Sequence, residues 1–118
     1  MKDFPAFLKN PLNRIASSSQ YTEDIEGYVF DGADGSQVAF WACAQDRVSA
    51  AHAHEFDEYL FVIQGRCVVT MGPTQVELRA GDELLVPKGT PQSIMVSAGT
   101  RTVHVFGAKR AKREHSPP

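Results

Sequence analysis

The chain has 118 residues, 42% of them hydrophobic, and a formal net charge of −2 at pH 7 with a sequence pI of about 6.0. This length suits a single domain with a real core, and the near-neutral charge gives no electrostatic reason to expect nucleic acid or an anionic membrane as a partner. No apolar run approaches the ~18 residues of a membrane-spanning segment, and the N-terminus lacks a signal-peptide pattern, so we expect a cytoplasmic protein.

The first part of the chain predicts an N-terminal arm followed by a hairpin. Residues 1–25 contain two early prolines and a run of three serines, which favours an extended arm with at most a short strand near residues 14–16. EGYVF at 26–30 and QVAFWACA at 37–44 are apolar and separated by DGADG. Because Gly and Asp tolerate turn conformations, these segments predict a β-hairpin.

Six short segments follow, and each ends in a glycine. They are EYLFVIQG, RCVVTMG, TQVELRAG, DELLVPKG, TPQSIMVSAG and TRTVHVFG. They are rich in β-branched residues, and their glycines recur every 7 to 10 residues. Many short, evenly spaced strands without a sustained helical period predict an all-β sandwich or barrel, here over residues 26–108. Cys43 and Cys67 lie in such apolar stretches, which favours two buried free thiols.

The C-terminal segment, residues 109–118, is basic and ends in two prolines. Such a segment buries too little apolar area to order itself, so we expect a solvated, mobile tail. At this length a role in binding RNA or a protein partner is the less favoured alternative.

The stretch HAHEFDE at 52–58 carries candidate metal ligands. Residues two apart on a strand project from the same face, so His52 and His54 should point together, and Glu58 has the same parity. Two imidazoles and a carboxylate suit Fe(II), and Mn, Ni or Zn remain possible. The competing interpretation is an exposed strand face with incidental histidines. The all-β context favours a metal.

The spacing of these residues resembles the first motif of the cupin family. That motif is a glycine, five residues, HxH, three or four residues, Glu, six residues and Gly. His52, His54, Glu58 and Gly65 match it, whereas Asp46 replaces the leading glycine. The resemblance covers roughly residues 36–107 and implies a jelly-roll barrel with one metal ion inside.

The second cupin motif is matched in part. Gly81, Pro87 and Gly89 fit its spacing, and fifteen residues separate Gly65 from Gly81, as in compact members of the family. The motif histidine is replaced by Gln92 and the asparagine by a valine. The resemblance implies that Gln92 occupies the fourth metal-ligand position, where its amide would ligate weakly, bind a water on the ion, or simply face the pocket.

His104 is a further pocket candidate. Its strand should pair with the strand that bears Gln92 across the SAGT turn, and the register of that pair decides which way the imidazole points. A slip of one residue reverses every side chain, so both an interior and an outward position remain open.

The resemblance implies a small metalloenzyme with one divalent ion, acting on an oxygen-bearing organic substrate by dioxygenase, isomerase or lyase chemistry. A non-catalytic small-molecule, metal-binding or sensor cupin with a degenerate site is the alternative. A metal-free epimerase or isomerase is a third possibility, which the intact HxHxxxE pattern disfavours. Because cupins commonly pair through barrel faces, we also expect a homodimer, in which the N-terminal arm adds a strand to a neighbour.

Overall fold

The computed structural model describes residues 2–115 and is an all-β domain with three one-turn 3-10 helices before the first strand. These helices are Ala6–Lys9, Pro11–Asn13 and Ser17–Ser19. The strands are β1 Glu26–Asp31, β2 Gln37–Cys43, β3 Arg47–Val48, β4 Glu58–Gln64, β5 Arg66–Met71, β6 Thr74–Arg79, β7 Glu83–Val86, β8 Ser93–Val96 and β9 Thr100–Phe106. No helix within residues 2–115 has the length and apolar character needed to cross a membrane.

The strands form two antiparallel sheets. One has the order β1-β2-β9-β4-β7 and the other β3-β8-β5-β6. The predicted hairpin is present, with β1 and β2 paired from Glu26 opposite Ala42 to Asp31 opposite Gln37. Neighbouring sequence segments often belong to different sheets, which gives the crossed connections of a jelly roll. The predicted all-β jelly-roll class is therefore confirmed.

The core lies between the sheets and follows the strand period of two. On β4 the side chains of Glu58, Leu60 and Val62 are buried and alternate with more exposed neighbours. Buried residues of both sheets join in one apolar cluster, which includes the free thiols of Cys43 and Cys67. Because Glu58 shares its face with Leu60 and Val62, the strand carries a carboxylate into the interior.

The predicted pairing of the last two strands is wrong. β8, which follows Gln92, pairs with β3 and β5, whereas β9 pairs with β2 and β4. The turn at residues 97–99 therefore crosses from one sheet to the other instead of closing a hairpin. Gly99 donates its backbone N–H to the carbonyl of Cys43 at 2.8 Å, which fixes this crossing beside the end of β2.

The two terminal segments pack against the barrel. The arm makes single-residue bridges from Arg14 to Tyr28 and from Ile15 to Arg113, where we expected at most a short strand. We expected a solvated tail from residue 109 onward, and the structure packs Ala111 of this segment into the barrel. The buried Gln37 side chain explains the difference, because its carbonyl accepts backbone N–H groups of residues 110 and 111 at 2.8 Å each. Residues 116–118 of the predicted tail lie outside the described residues.

Candidate functional site

A cavity of about 60 Å³ opens between the sheets, and it contains every sequence-predicted site residue. Charged and amide side chains in its wall come from the loop before β4, from β4, from the residue before β8, from β9 and from the C-terminal segment. They are His52, His54, Glu58, Gln92, His104 and Arg110. The remaining lining is largely apolar and aromatic, as is usual for a small-molecule site.

His52 and Gln92 lie opposite each other in an isolated antiparallel bridge. The backbone N–H of His52 donates to Gln92 at 2.9 Å, and that of Gln92 donates to His52 at 2.8 Å. Side chains of directly opposed residues share a face, so this bridge brings the imidazole and the amide to the same side. The motif-based expectation that these two positions meet is satisfied by the backbone.

The segment that carries the two histidines is irregular, whereas we expected a strand or a strand with a modest bend. Only His52 makes a bridge, and β4 begins at Glu58. The carbonyl of His54 accepts the backbone N–H of Gly89 at 2.7 Å, which fixes the loop against the glycine of the second motif. The His52 and His54 rings nevertheless lie together, with centroids 4.9 Å apart.

Glu58 is the centre of the polar network. Its Oε1 accepts a hydrogen bond from the Gln92 amide at 3.0 Å and lies 3.4 Å from His54 Nε2, and its Oε2 lies 2.6 Å from His104 Nδ1. Burial alone would raise the pKa of Glu58, but the hydrogen bonds with His104 and Gln92 and the nearby imidazole of His54 hold that pKa well below its usual range. The carboxylate is therefore ionised.

The His104 side chain lies inside the barrel, which decides between its two possible orientations. On β9 it is opposite Leu60 of β4, and both side chains are buried. Its Nε2 lies 3.0 Å from Thr102 Oγ1, and its ring packs edge-on against Trp41 with centroids 4.9 Å apart. With Glu58 on one ring nitrogen and Thr102 on the other, His104 is held in one orientation by hydrogen bonds on both sides.

The donor set fits a metal ion. One ligand atom each from His52, His54 and Glu58 can be chosen so that all lie within 4.8 Å of one another. His54 Nε2 is buried without a hydrogen-bond partner, although it points toward the carboxylate. A buried, unpartnered imidazole nitrogen is costly unless something binds it. Burial also lowers the pKa of His52, which favours the neutral ring that a metal requires.

Two cavity residues were missed by sequence reasoning. Tyr21 of the N-terminal arm stacks on His52 with centroids 3.9 Å apart and an interplanar angle of 3°. Arg110 lies over the rings of Tyr21, Trp41 and Phe106 at about 5 Å. The motifs lie elsewhere in the chain, and a basic residue in a basic segment carries no local pattern that distinguishes it from a solvated charge.

The structure is an antiparallel β-barrel with a cavity lined by three imidazoles, one carboxylate and two side-chain amides. The sequence model of the Cupin domain family matches residues 40–107, which is more than half of the chain. The chain therefore belongs to the cupin family.

Solved structures share this fold at low sequence identity. KdgF from Halomonas sp. is 18% identical over 81% of this chain and 93% of its own, with a TM-score of 0.67. A cupin-like protein from Thermotoga maritima is 16% identical over 86% and 84%, with a TM-score of 0.69. An RmlC-like cupin from Shewanella frigidimarina is 16% identical over 83% and 96%, with a TM-score of 0.67. No curated protein matches the sequence significantly.

Proposed function

We propose that this cupin is a mononuclear metalloenzyme acting on a small oxygen-bearing organic substrate. His52, His54 and Glu58 would hold one divalent transition ion, and Gln92 would be a fourth ligand or a donor beside it. The observation that carries the proposal is the proximity of the three ligand atoms, within 4.8 Å of one another, in a cavity wall where His54 Nε2 has no other partner.

The ligand types restrict the ion without identifying it. Two imidazoles and one carboxylate accept Fe, Mn, Ni or Zn, and the carboxylate offsets part of the ionic charge. Such an ion supplies a Lewis acid or a redox centre for an oxygen-bearing substrate. Dioxygenase, isomerase and lyase chemistry are the reaction classes that we propose.

The surrounding residues prepare this site before any ligand arrives. The His104 imidazole and the Gln92 amide each bind one oxygen of Glu58, so the carboxylate is held in a fixed orientation. Tyr21 covers one face of His52, and Phe56 stacks on His54 with centroids 4.9 Å apart. These aromatic contacts limit the rotation of both imidazoles and exclude water from their faces.

Metal stoichiometry tests the proposal. After anaerobic loading with Fe, Mn, Ni or Zn and removal of free ion, elemental analysis should find about one ion per wild-type chain. His54→Ala should lose it, because the buried imidazole is removed. His115→Ala is the matched control, since this histidine is exposed and lies outside the cavity. No bound metal in the wild type, or equal loss in both variants, would contradict the metal site.

One observation favours a second candidate, a non-catalytic binding or sensor cupin. Both oxygens of Glu58 already have partners within the chain, so the network is complete around that carboxylate without an ion. Screening the metal-loaded protein against diketones, β-keto acids, thiols and uronates distinguishes the metalloenzyme from the non-catalytic cupin. Turnover that is lost in His54→Ala supports the enzyme, whereas ligand binding without turnover supports the sensor. Turnover by metal-free protein would indicate the epimerase or isomerase alternative.

We propose in addition a cytoplasmic homodimer. The outermost strands β7, β3 and β6 each leave one edge without a strand partner in the described part of the chain, whereas the arm bridges the edge of β1 at Tyr28. Open edges of this kind favour association. Because the arm packs on its own barrel, the dimer that we propose uses a sheet edge or face and not an exchanged arm. Light scattering after size-exclusion chromatography should give twice the chain mass; a single chain mass would contradict it.

A further inference from the structure

We infer that the Arg110 guanidinium binds a carboxylate group of the small molecule that enters the cavity. The inference rests on the proposed function in treating the cavity as the ligand site, and it assigns the substrate to the small organic acids. Arg110 belongs to neither cupin motif. It comes from the C-terminal segment, which folds back and brings the side chain to the wall that also holds His52 and Glu58.

The guanidinium is enclosed by aromatic faces. Its central carbon lies 5.1 Å from the ring centroid of Tyr21, 5.2 Å from that of Trp41 and 5.1 Å from that of Phe106. Cation–π contact of this kind partly compensates the lost hydration and holds the planar group in place. It satisfies no N–H donor, however, and Nε and Nη1 are buried without a hydrogen-bond partner among the described residues.

No carboxylate within residues 2–115 forms an ion pair with Arg110. Glu58 is the acid of the same cavity, but both of its oxygens are hydrogen-bonded, to Gln92 and to His104. Buried N–H donors without a partner are costly, and the cost falls when an anion binds them. Arg110 therefore has buried N–H donors in place for an anion, and the ionised carboxylate of Glu58 in the same cavity does not bind them.

The backbone holds this arrangement in position. Gln37, which is 1% exposed, accepts the backbone N–H of Arg110 at 2.8 Å and also binds both the N–H and the carbonyl of Ala111. On the opposite side, the carbonyl of Tyr21 accepts the N–H of Ala50 at 2.8 Å. Since the cation and one of the rings around it are anchored separately to the barrel, the site is preorganised for a ligand.

The size of the cavity limits the ligand. A volume of about 60 Å³ suits a small molecule better than a large one. A short carboxylic acid fills that space with its carboxylate toward Arg110. A hydroxyl or oxo group at its other end would then face His52, His54 and Glu58. The substrate class that we propose is accordingly a short carboxylic acid with a second oxygen function.

Binding of propionate and of its neutral analogue propionamide tests the charge requirement. Both would be titrated into the full chain, dialysed against EDTA, by ligand-observed NMR. The wild type should bind propionate at least tenfold more tightly than propionamide, and Arg110→Met should remove that preference. Lys109→Met is the matched control, because it removes the same charge from an exposed neighbour outside the cavity. It should retain wild-type affinity.

Further variants separate binding from packing. Arg110→Lys keeps the charge but loses the planar fork, so it should bind propionate more weakly than the wild type and more tightly than Arg110→Met. If Arg110→Met fails to fold, this variant decides, and wild-type affinity in it would overturn the inference. If Arg110 served only to pack the rings, Arg110→Met would lower the Tm but leave the propionate affinity unchanged, which would also overturn it.

Two more experiments identify the anion and distinguish the role of Arg110 from the proposed metal site. Binding of inorganic phosphate without binding of propionate would overturn the carboxylate assignment. If propionate binds only to metal-loaded protein and Arg110→Met does not weaken it, the ion holds the carboxylate and the inference fails while the proposed function stands. Arg110-dependent binding in a chain that takes up no metal would support the inference and contradict the proposed metal site.

Discussion

Gln92→His restores the imidazole that cupins usually place at the fourth ligand position, so it tests whether this position faces the ion. The Gln92 side chain is 5% exposed and lies beside the proposed ligands, with its amide nitrogen 3.0 Å from Glu58 Oε1. Its backbone is fixed opposite His52 by two hydrogen bonds. A histidine there would start from the same backbone position and project to the same side as His52.

The substitution has two opposing effects that can be worked from these contacts. In the metal-free protein it removes a hydrogen bond to an ionised carboxylate, which costs about 1.5 to 3 kcal/mol. For a domain of this size such a loss lowers the Tm by roughly 5 to 15 °C. In the loaded protein an added imidazole should tighten the metal Kd at least tenfold, and a tenfold change returns about 1.4 kcal/mol at saturating metal.

The measurement combines thermal unfolding with a metal competition assay. Unfolding with and without Zn gives the two stabilities, and a chromophoric chelator gives the Kd. Gln75→His is the matched control, because Gln75 is exposed on β6 and adds a histidine away from the cavity. We expect Gln92→His to be less stable than the wild type without metal and to gain more from metal than the wild type does.

Two results would refute this reasoning. An unchanged or weaker metal Kd in Gln92→His would mean that the position does not face the ion, whatever the family pattern implies. An unchanged Tm in the metal-free variant would mean that the hydrogen bond from Gln92 to Glu58 contributes little to folding. Gln75→His behaving like Gln92→His would show that any added histidine produces the effect.

Three further predictions concern the fold. Gly65→Ala should lower the free energy of unfolding in urea by about 2 to 5 kcal/mol, because φ is +86° and a Cβ would lie 2.7 Å from the Cα of Thr100. The control Gly81→Ala, where φ is +94° and no atom lies near the added Cβ, should lower it by about 1 to 2 kcal/mol. Equal losses of stability in the two variants would refute the clash with Thr100. Burial raises the pKa of the Cys67 thiol to about 11, so peptide mapping should find it unalkylated at pH 8.5 until the protein is unfolded; labelling in the folded state would contradict this. Gln37→Leu should release the C-terminal segment and speed tryptic cleavage there, and unchanged cleavage would show that other contacts hold it.

The strands could be predicted from sequence because their pattern is local. Alternation of apolar residues and regular glycines located every strand from β4 to β9, and the DGADG turn located the first hairpin. Strand pairing is not local in a jelly roll. The SAGT turn has the composition of a hairpin turn, yet it connects β8 in one sheet to β9 in the other. The orientation of His104 stayed undecided because the prediction paired β9 with β8, whereas β9 pairs with β2 and β4.

The residues that the motif spacing selects lie close together for a reason that differs from strand parity. His52 and His54 converge on an irregular loop, and the bridge to Gln92 with the contact from Gly89 supplies the constraint that a strand would have supplied. The spacing of the cupin motif reflects this three-dimensional arrangement, whereas the alternation of side chains along a strand does not. The hydrogen bond from His104 to Glu58 joins residues 46 apart in sequence, so no local pattern shows it.

The C-terminal segment shows why the position of Arg110 in the cavity wall could not be predicted from the sequence. Composition treats its basic residues alike, and that holds for the exposed side chains, such as Lys109. Arg110 differs because one buried amide, Gln37, binds the backbone beside it and turns its side chain toward Tyr21 and Trp41. Gln37 itself looked like the first polar residue of a strand. The lining of this cavity therefore depends on a segment outside the motifs as well as on the motif residues, so cupins with the same motif residues but different C-terminal segments should differ in this part of the cavity wall.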